Sequence, residues 1–198
     1  MLFDDQQLDA AEEAVSKVID PFSDNGDQFE VCVCYRLLGD IYHSRGEIEK
    51  AINHFQAALG IASCFNWSGR LVWIHYSLAV LFFGENRFDD AHAHIESAKS
   101  HATSNPYNLG RMTELQAKFW YEQHMLTEAK SGALCAADIY EKLGASEDVG
   151  HCRALLRNIE EAASHELAFE GELLETVLFA TPANSPSSAS GAGHHRAS

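Results

Sequence analysis

Four histidines, His75, His92, His94 and His101, crowd the middle of the chain and are the residues best suited to hold a transition metal. Their spacing argues against it. On a helix His92 and His94, two residues apart, point to different faces, and no Glu stands between helically spaced histidines as it does in a metalloprotease helix. Asp24-Asn25-Gly26-Asp27 has calcium-loop residue types but lacks the remaining ligands and the terminal bidentate Glu, so it reads as a turn before a helix. The five cysteines, Cys32, Cys34, Cys64, Cys135 and Cys152, include no CxxC pair and suit reduced thiols in helices. No Ser or Cys sits in an elbow with a His and an orienting acid, as nucleophilic catalysis would need. The expectation is no metal, no cofactor and no enzyme activity.

Any site must be positioned by the elements around it, and composition limits what those can be. The chain has 198 residues, 46% of them apolar, which is ample for a buried core. Its longest apolar runs, such as Leu78 to Phe83, fall far short of the ~20 residues of a membrane span, and MLFDDQQLDAA is too acidic for a secretion signal. The expectation is a soluble, cytoplasmic protein without a membrane partner. The formal charge of −15 belongs to the two ends: residues 1–30 carry nine acids against Lys17, and residues 158–198 carry six against Arg196. Without clustered Lys and Arg, a nucleic-acid partner is not expected.

Helix-period patterns fill most of residues 8–164, and they repeat. With Ala51, Ala91 and Ala129 aligned, Gly39 matches Ala79 and Ala117, Tyr42 matches Phe82 and Trp120, Phe55 matches Ile95 and Ala133, and Ala58 matches Ala98 and Ala136. Small residues at fixed offsets let two antiparallel helices approach closely, so Gly39 is expected to face Ala51, with Tyr42 and Phe55 beside the contact. Gly46 suits the stop that lets the chain reverse. Ala11 lies one repeat before Ala51, in a helix whose first partner is missing.

This pattern resembles the tetratricopeptide repeat, most closely over residues 32–65. The resemblance implies an all-α fold, a right-handed superhelical solenoid of antiparallel helix pairs. Residues 1–25 form a half-repeat helix and turn, and residues 26–145 three helix pairs. Residues 146–164 form a closing helix with Val149, Cys152, Leu156, Ile159 and Ala163 on one face. Residues 165–198 hold an acidic segment, GELLETVLF within it, and a Ser/Pro/Gly-rich tail expected to be disordered from about Ala180, where Thr181 and Ser185 precede prolines. Longer phrases, among them CYRLLGDIYHSRGEIEKAI and AADIYEKLGASEDVGHCRALL, are similar to the C-terminal repeat region of fungal NACHT or NB-ARC (STAND-type) signal-transduction NTPases. The P-loop of that family, GxxxxGK[ST], does not occur here, so the resemblance implies no ATPase activity. It implies a surface for sensing or binding a partner, or else a ligand-free structural piece of a larger protein of that kind.

In superhelical arrays the first helix of each pair lines the concave face that receives ligands. By repeat phase that face carries Val33, Arg36, Asp40 and His43, then Trp73, Tyr76, Val80 and Phe83, then Arg111, Glu114, Lys118 and Tyr121. Asp40 stands where a carboxylate clamp would need Asn, which argues against that specificity. The expected partner is a protein or peptide segment held by Trp73 and Tyr76 and oriented by Arg36, Arg111 and Lys118. Self-association through exposed repeat ends is a second expected contact.

Overall fold

The computed structural model describes the backbone of residues 5–178 and the side chains of residues 6–170. Among the described residues there are eight helices and no strand. They are α1 (Asp5–Asp24), α2 (Gln28–Ser44), α3 (Ile48–Cys64), α4 (Ser68–Gly84), α5 (Phe88–His101), α6 (Pro106–Glu122), α7 (Leu126–Leu143) and α8 (Ser146–Leu178). The chain divides into two units between Glu160 and Glu161. Of the second, only the remainder of α8 is described. The closing helix thus continues past residue 164 to Leu178. The expected disorder beyond Ala180, Thr181 and Ser185, and the side chains of GELLETVLF all lie outside the described residues.

Turns recur with the repeat. Gly26, Gly46, Asn66 and Asn86 have φ of 77°, 75°, 54° and 59°, and after a gap so do His124 and Gly144, at 57° and 70°. Each supplies the left-handed residue of a helix stop, and the next amide bonds back five residues, as Glu47 N–H to the Tyr42 carbonyl at 2.9 Å and Met125 N–H to that of Trp120 at 2.9 Å. The exception joins α5 to α6. There Pro106 opens the helix and the Asn105 side chain caps it by accepting from the Asn108 amide at 3.2 Å.

The pairs α2–α3, α4–α5 and α6–α7 are antiparallel. Early α6 meets late α7 where Gly110 faces Ile139 and Tyr140, and late α6 meets early α7 where Ala117 and Trp120 face Gly132. Ala51, Ala58, Ala91, Ala98, Ala129 and Ala136 are wholly buried, as their recurrence requires. One expectation needs correcting: the nearest neighbour of Gly39 is the Phe55 ring rather than Ala51, and a Cβ added to Gly39 would lie 2.5 Å from that ring. The smallest residue of the series therefore faces the largest. In the equivalent places Ala79 shares a core with Ile95, and Ala117 lies against Gly132 in a core it shares with Ala133.

Two further elements flank the pairs. α1 packs Leu8, Ala11, Val15 and Ile19 against Leu38, Ile41 and Tyr42 of α2. Its Glu12 accepts from Tyr42 at 2.5 Å and pairs with Arg45, and these partners lower the Glu12 pKa. Between α1 and α2 an apolar depression of about 480 Å³ stays open, lined by Leu8, Ala14, Val15, Leu37 and Ile41. Leu37 is the repeat equivalent of Ser77, which bonds to the preceding first helix through Asp40. At the other end the first half of α8 packs Val149 and Cys152 on Tyr140, and Leu155 and Ile159 on Ala133. The expected Leu156 is partly buried against the same core, and Leu155 beside it is buried as well.

Because Phe55 fills the space a methyl group would need, Gly39→Ala is expected to destabilise by about 1 kcal/mol net, overpacking outweighing the gain in helix propensity. Adding Phe55→Ile, which copies the Ala79–Ile95 pair, is expected to recover most of that loss in urea denaturation. A Gly39→Ala protein at least as stable as the wild type would contradict the contact.

Candidate partner-binding surface

The first helices lie side by side, and this sets the surface between them. Val33, Trp73 and Arg111 share one repeat phase, and the structure lays the Arg111 guanidinium over the Trp73 ring, 4.7 Å from its centroid, and 5.9 Å from that of Tyr76. The two rings meet edge to face at 5.7 Å. Both are half-buried, so they are neither core residues nor loose side chains. Stacking fixes Arg111 while its N–H edge stays available.

Tyr76 and Arg111 also line a cavity of about 380 Å³ between α4, α6 and the start of α8, together with Tyr107, Lys118, Asp148 and His151. The Tyr107 hydroxyl reaches Asp148 at 3.4 Å across it. Glu114, buried at its floor, accepts from the Tyr140 hydroxyl at 3.0 Å and pairs with Lys118 at 2.5 Å. Burial and the neighbouring Glu114 carboxylate keep the Tyr140 phenol protonated.

The other expected site residues are placed differently. Arg36 pairs with Asp40 one turn along α2, and Asp40 accepts from Ser77 Oγ at 3.0 Å, joining α2 to α4. Neither lines the cavity, and Asp40 instead borders the depression beside α1. Burial raises the Asp40 pKa against the pull of Arg36 and Ser77. Phe83, half-buried like Trp73 and Tyr76, stacks on Phe119 with ring centroids 3.8 Å apart and does not line the cavity. The expected six thus divide into Trp73, Tyr76, Arg111 and Lys118 on one surface, and an Arg36–Asp40 pair that ties two helices together.

The repeat phase misses three residues. Phe29, Trp67 and Arg70 form, with Gly69 and Trp73, a second depression of about 430 Å³. Arg70 lies 4.1 Å over the Phe29 ring, and Phe29 meets Trp67 edge to face at 5.2 Å. They come from helix ends and a connection, where apolar periodicity carries no signal.

The histidines serve packing. His94 stacks on Phe82 as its repeat equivalent His54 stacks on Tyr42, at 5.3 and 5.1 Å. His75 Nδ1 lies 2.9 Å from His94 Nδ1, so one ring donates and the other accepts, and His101 stacks on His75. His92 turns the other way, towards Gln123 and Trp120. Among the described residues no group of three or more His, Cys, Asp or Glu side chains is placed to hold a metal. No helix among them is long and apolar enough to cross a membrane.

No family model matches the chain, and no curated protein is similar to it. Among solved structures, the crystal structure of BtubC (BKLC) from P. vanneervenii is similar over 98% of this chain and 91% of that one, with a TM-score of 0.62 and 16% identity. At that identity the likeness is one of fold alone.

Burial, then the neighbouring His94 and His101, pushes His75 down to about 4, and burial lowers His94 too. A histidine whose folded pKa is depressed contributes stability that is present above its unfolded value near 6.5 and lost as pH falls towards the folded one. Acidification from pH 7.5 to 5 is therefore expected to destabilise the protein, and His75→Asn to remove about 2 kcal/mol of that difference. Chemical denaturation at both pH values measures it, and an unchanged difference in the variant would contradict the assignment.

Proposed function

We propose that the chain is a tetratricopeptide-type array, a right-handed superhelical solenoid of antiparallel pairs, and that it binds a peptide segment of a partner protein across α4 and α6. The observation that carries the reading is Arg111 laid over Trp73 and Tyr76. Half-buried aromatic rings next to a cation and an open cavity are the features from which interfaces draw most of their affinity. The recurrence of wholly buried alanines at the same offsets in three successive pairs supports the array.

On this reading apolar burial at Trp73 and Tyr76 supplies the affinity, and the cations orient the ligand. For peptides selected from a displayed random library against the protein, Trp73→Ala is expected to weaken binding by about 2 kcal/mol, at all salt concentrations. Arg111→Ala should cost less and its effect should shrink as salt rises, whereas Arg36→Ala, already paired with Asp40, should matter little. Fluorescence polarisation decides it. Selected peptides indifferent to Trp73→Ala would overturn the reading.

A further inference from the structure

Of the 14 Lys and Arg residues, Arg196 lies outside the described residues. Ten of the remaining thirteen are paired with a carboxylate, namely Lys17, Arg36, Arg45, Lys50, Arg87, Lys99, Lys118, Lys130, Lys142 and Arg153. Arg70, Arg111 and Arg157 are not. In a protein with 29 acids such cations are the exception, and two of the three stand on either side of Trp73. Both sit over aromatic rings, Arg70 over Phe29 and Arg111 over Trp73. A stacked guanidinium loses little freedom on binding and keeps the planar N–H fork that matches a carboxylate.

We propose that Arg70 and Arg111 form a two-pronged receptor, with Trp73 between them, for the side-chain carboxylates of an acidic, extended peptide segment of a partner protein. The proposal rests on the reading of this surface as a peptide-binding one and specifies the chemistry of its ligand. Charge complementarity selects that ligand. The protein's own carboxylates leave these two cations unneutralised, and the aromatic rings provide apolar contact for the intervening residues. The far wall fixes direction: Glu147 and Asp148 line the cavity beyond Tyr76 and repel acids there, while Glu114 is already taken by Tyr140 and Lys118. Acidic side chains therefore belong at the Trp73 side, and a neutral or basic residue enters the cavity by α8.

The test uses two N-terminally fluorescein-labelled, C-amidated octapeptides. One is Glu-Pro-Glu-Leu-Glu-Gly-Glu-Leu and the other has Lys in place of each Glu; the amide removes any terminal carboxylate. In fluorescence polarisation with the full chain, the glutamate peptide is expected to bind at least tenfold more tightly than the lysine peptide. Arg70→Ala and Arg111→Ala are each expected to weaken it three- to tenfold, and Arg157→Ala to leave it unchanged. In the wild type, the Nε–Hε NMR signals of Arg70 and Arg111 are expected to shift during the titration, which keeps the test independent of how the variants fold. Equal or tighter binding of the lysine peptide, abolished by Trp73→Ala, would overturn the acidic preference and leave the peptide-binding reading standing. If neither peptide binds, the receptor is overturned, while peptides selected from a library still decide the broader reading.

Discussion

Every helix pair in this protein depends on matching the volumes of two facing side chains. Gly39 of α2 lies against the Phe55 ring of α3, Ala79 of α4 and Ile95 of α5 are buried in one core, and Ala117 and Trp120 of α6 lie against Gly132 of α7. A second level runs the other way. Cys32 and Val72 stand opposite the phase of Ala62 and Ala102, whereas Gly110 receives the Tyr140 ring, to which its added Cβ would come within 2.9 Å. Interiors tolerate exchange of volume between neighbours far better than a net gain or loss. The contact can therefore change residues from pair to pair and keep its spacing.

That spacing is what builds the surface. Successive antiparallel pairs bring α2, α4 and α6 next to one another, seen in the Asp40–Ser77 bond and in Arg111 over Trp73. Trp73 and Arg111, each the sixth residue of its helix and of one repeat phase, meet in this way. A residue such as Trp73 is then flanked by the first helices on both sides, partly covered and partly open. The histidines follow the same logic: His54 and His94 are repeat equivalents, each stacked on the aromatic residue of its own pair.

The recurrence of buried alanines and of Gly39 was legible because helix packing imposes a period, and a period can be read without a structure. The left-handed turns were only half legible, since Gly46 announces itself while Asn66, Asn86 and His124 do the same work without glycine. Phe83 had the right phase for the surface, but its ring is engaged by Phe119, a neighbour only the fold supplies. Arg70 and Phe29 were illegible because their meeting depends on how the ends of α2 and α4 are set, and no spacing in the chain encodes that. Asp40 and Arg36 looked like ligand contacts because phase alone does not show that each already has a partner.

The side-by-side setting of the first helices can be tested through Trp73 itself. With 5-fluorotryptophan at Trp67, Trp73 and Trp120, the fluorine spectrum gives one signal for each indole, assignable by single Trp→Phe variants. Trp73 carries the Arg111 guanidinium on its face, whereas Trp67 lies against Phe65 and Phe29, and Trp120 against His92. Arg111→Gln is therefore predicted to move the Trp73 signal and leave those of Trp67 and Trp120 in place. A Trp73 signal unaffected by the loss of Arg111 would mean that α4 and α6 do not meet in this register, and the surface described here would not exist.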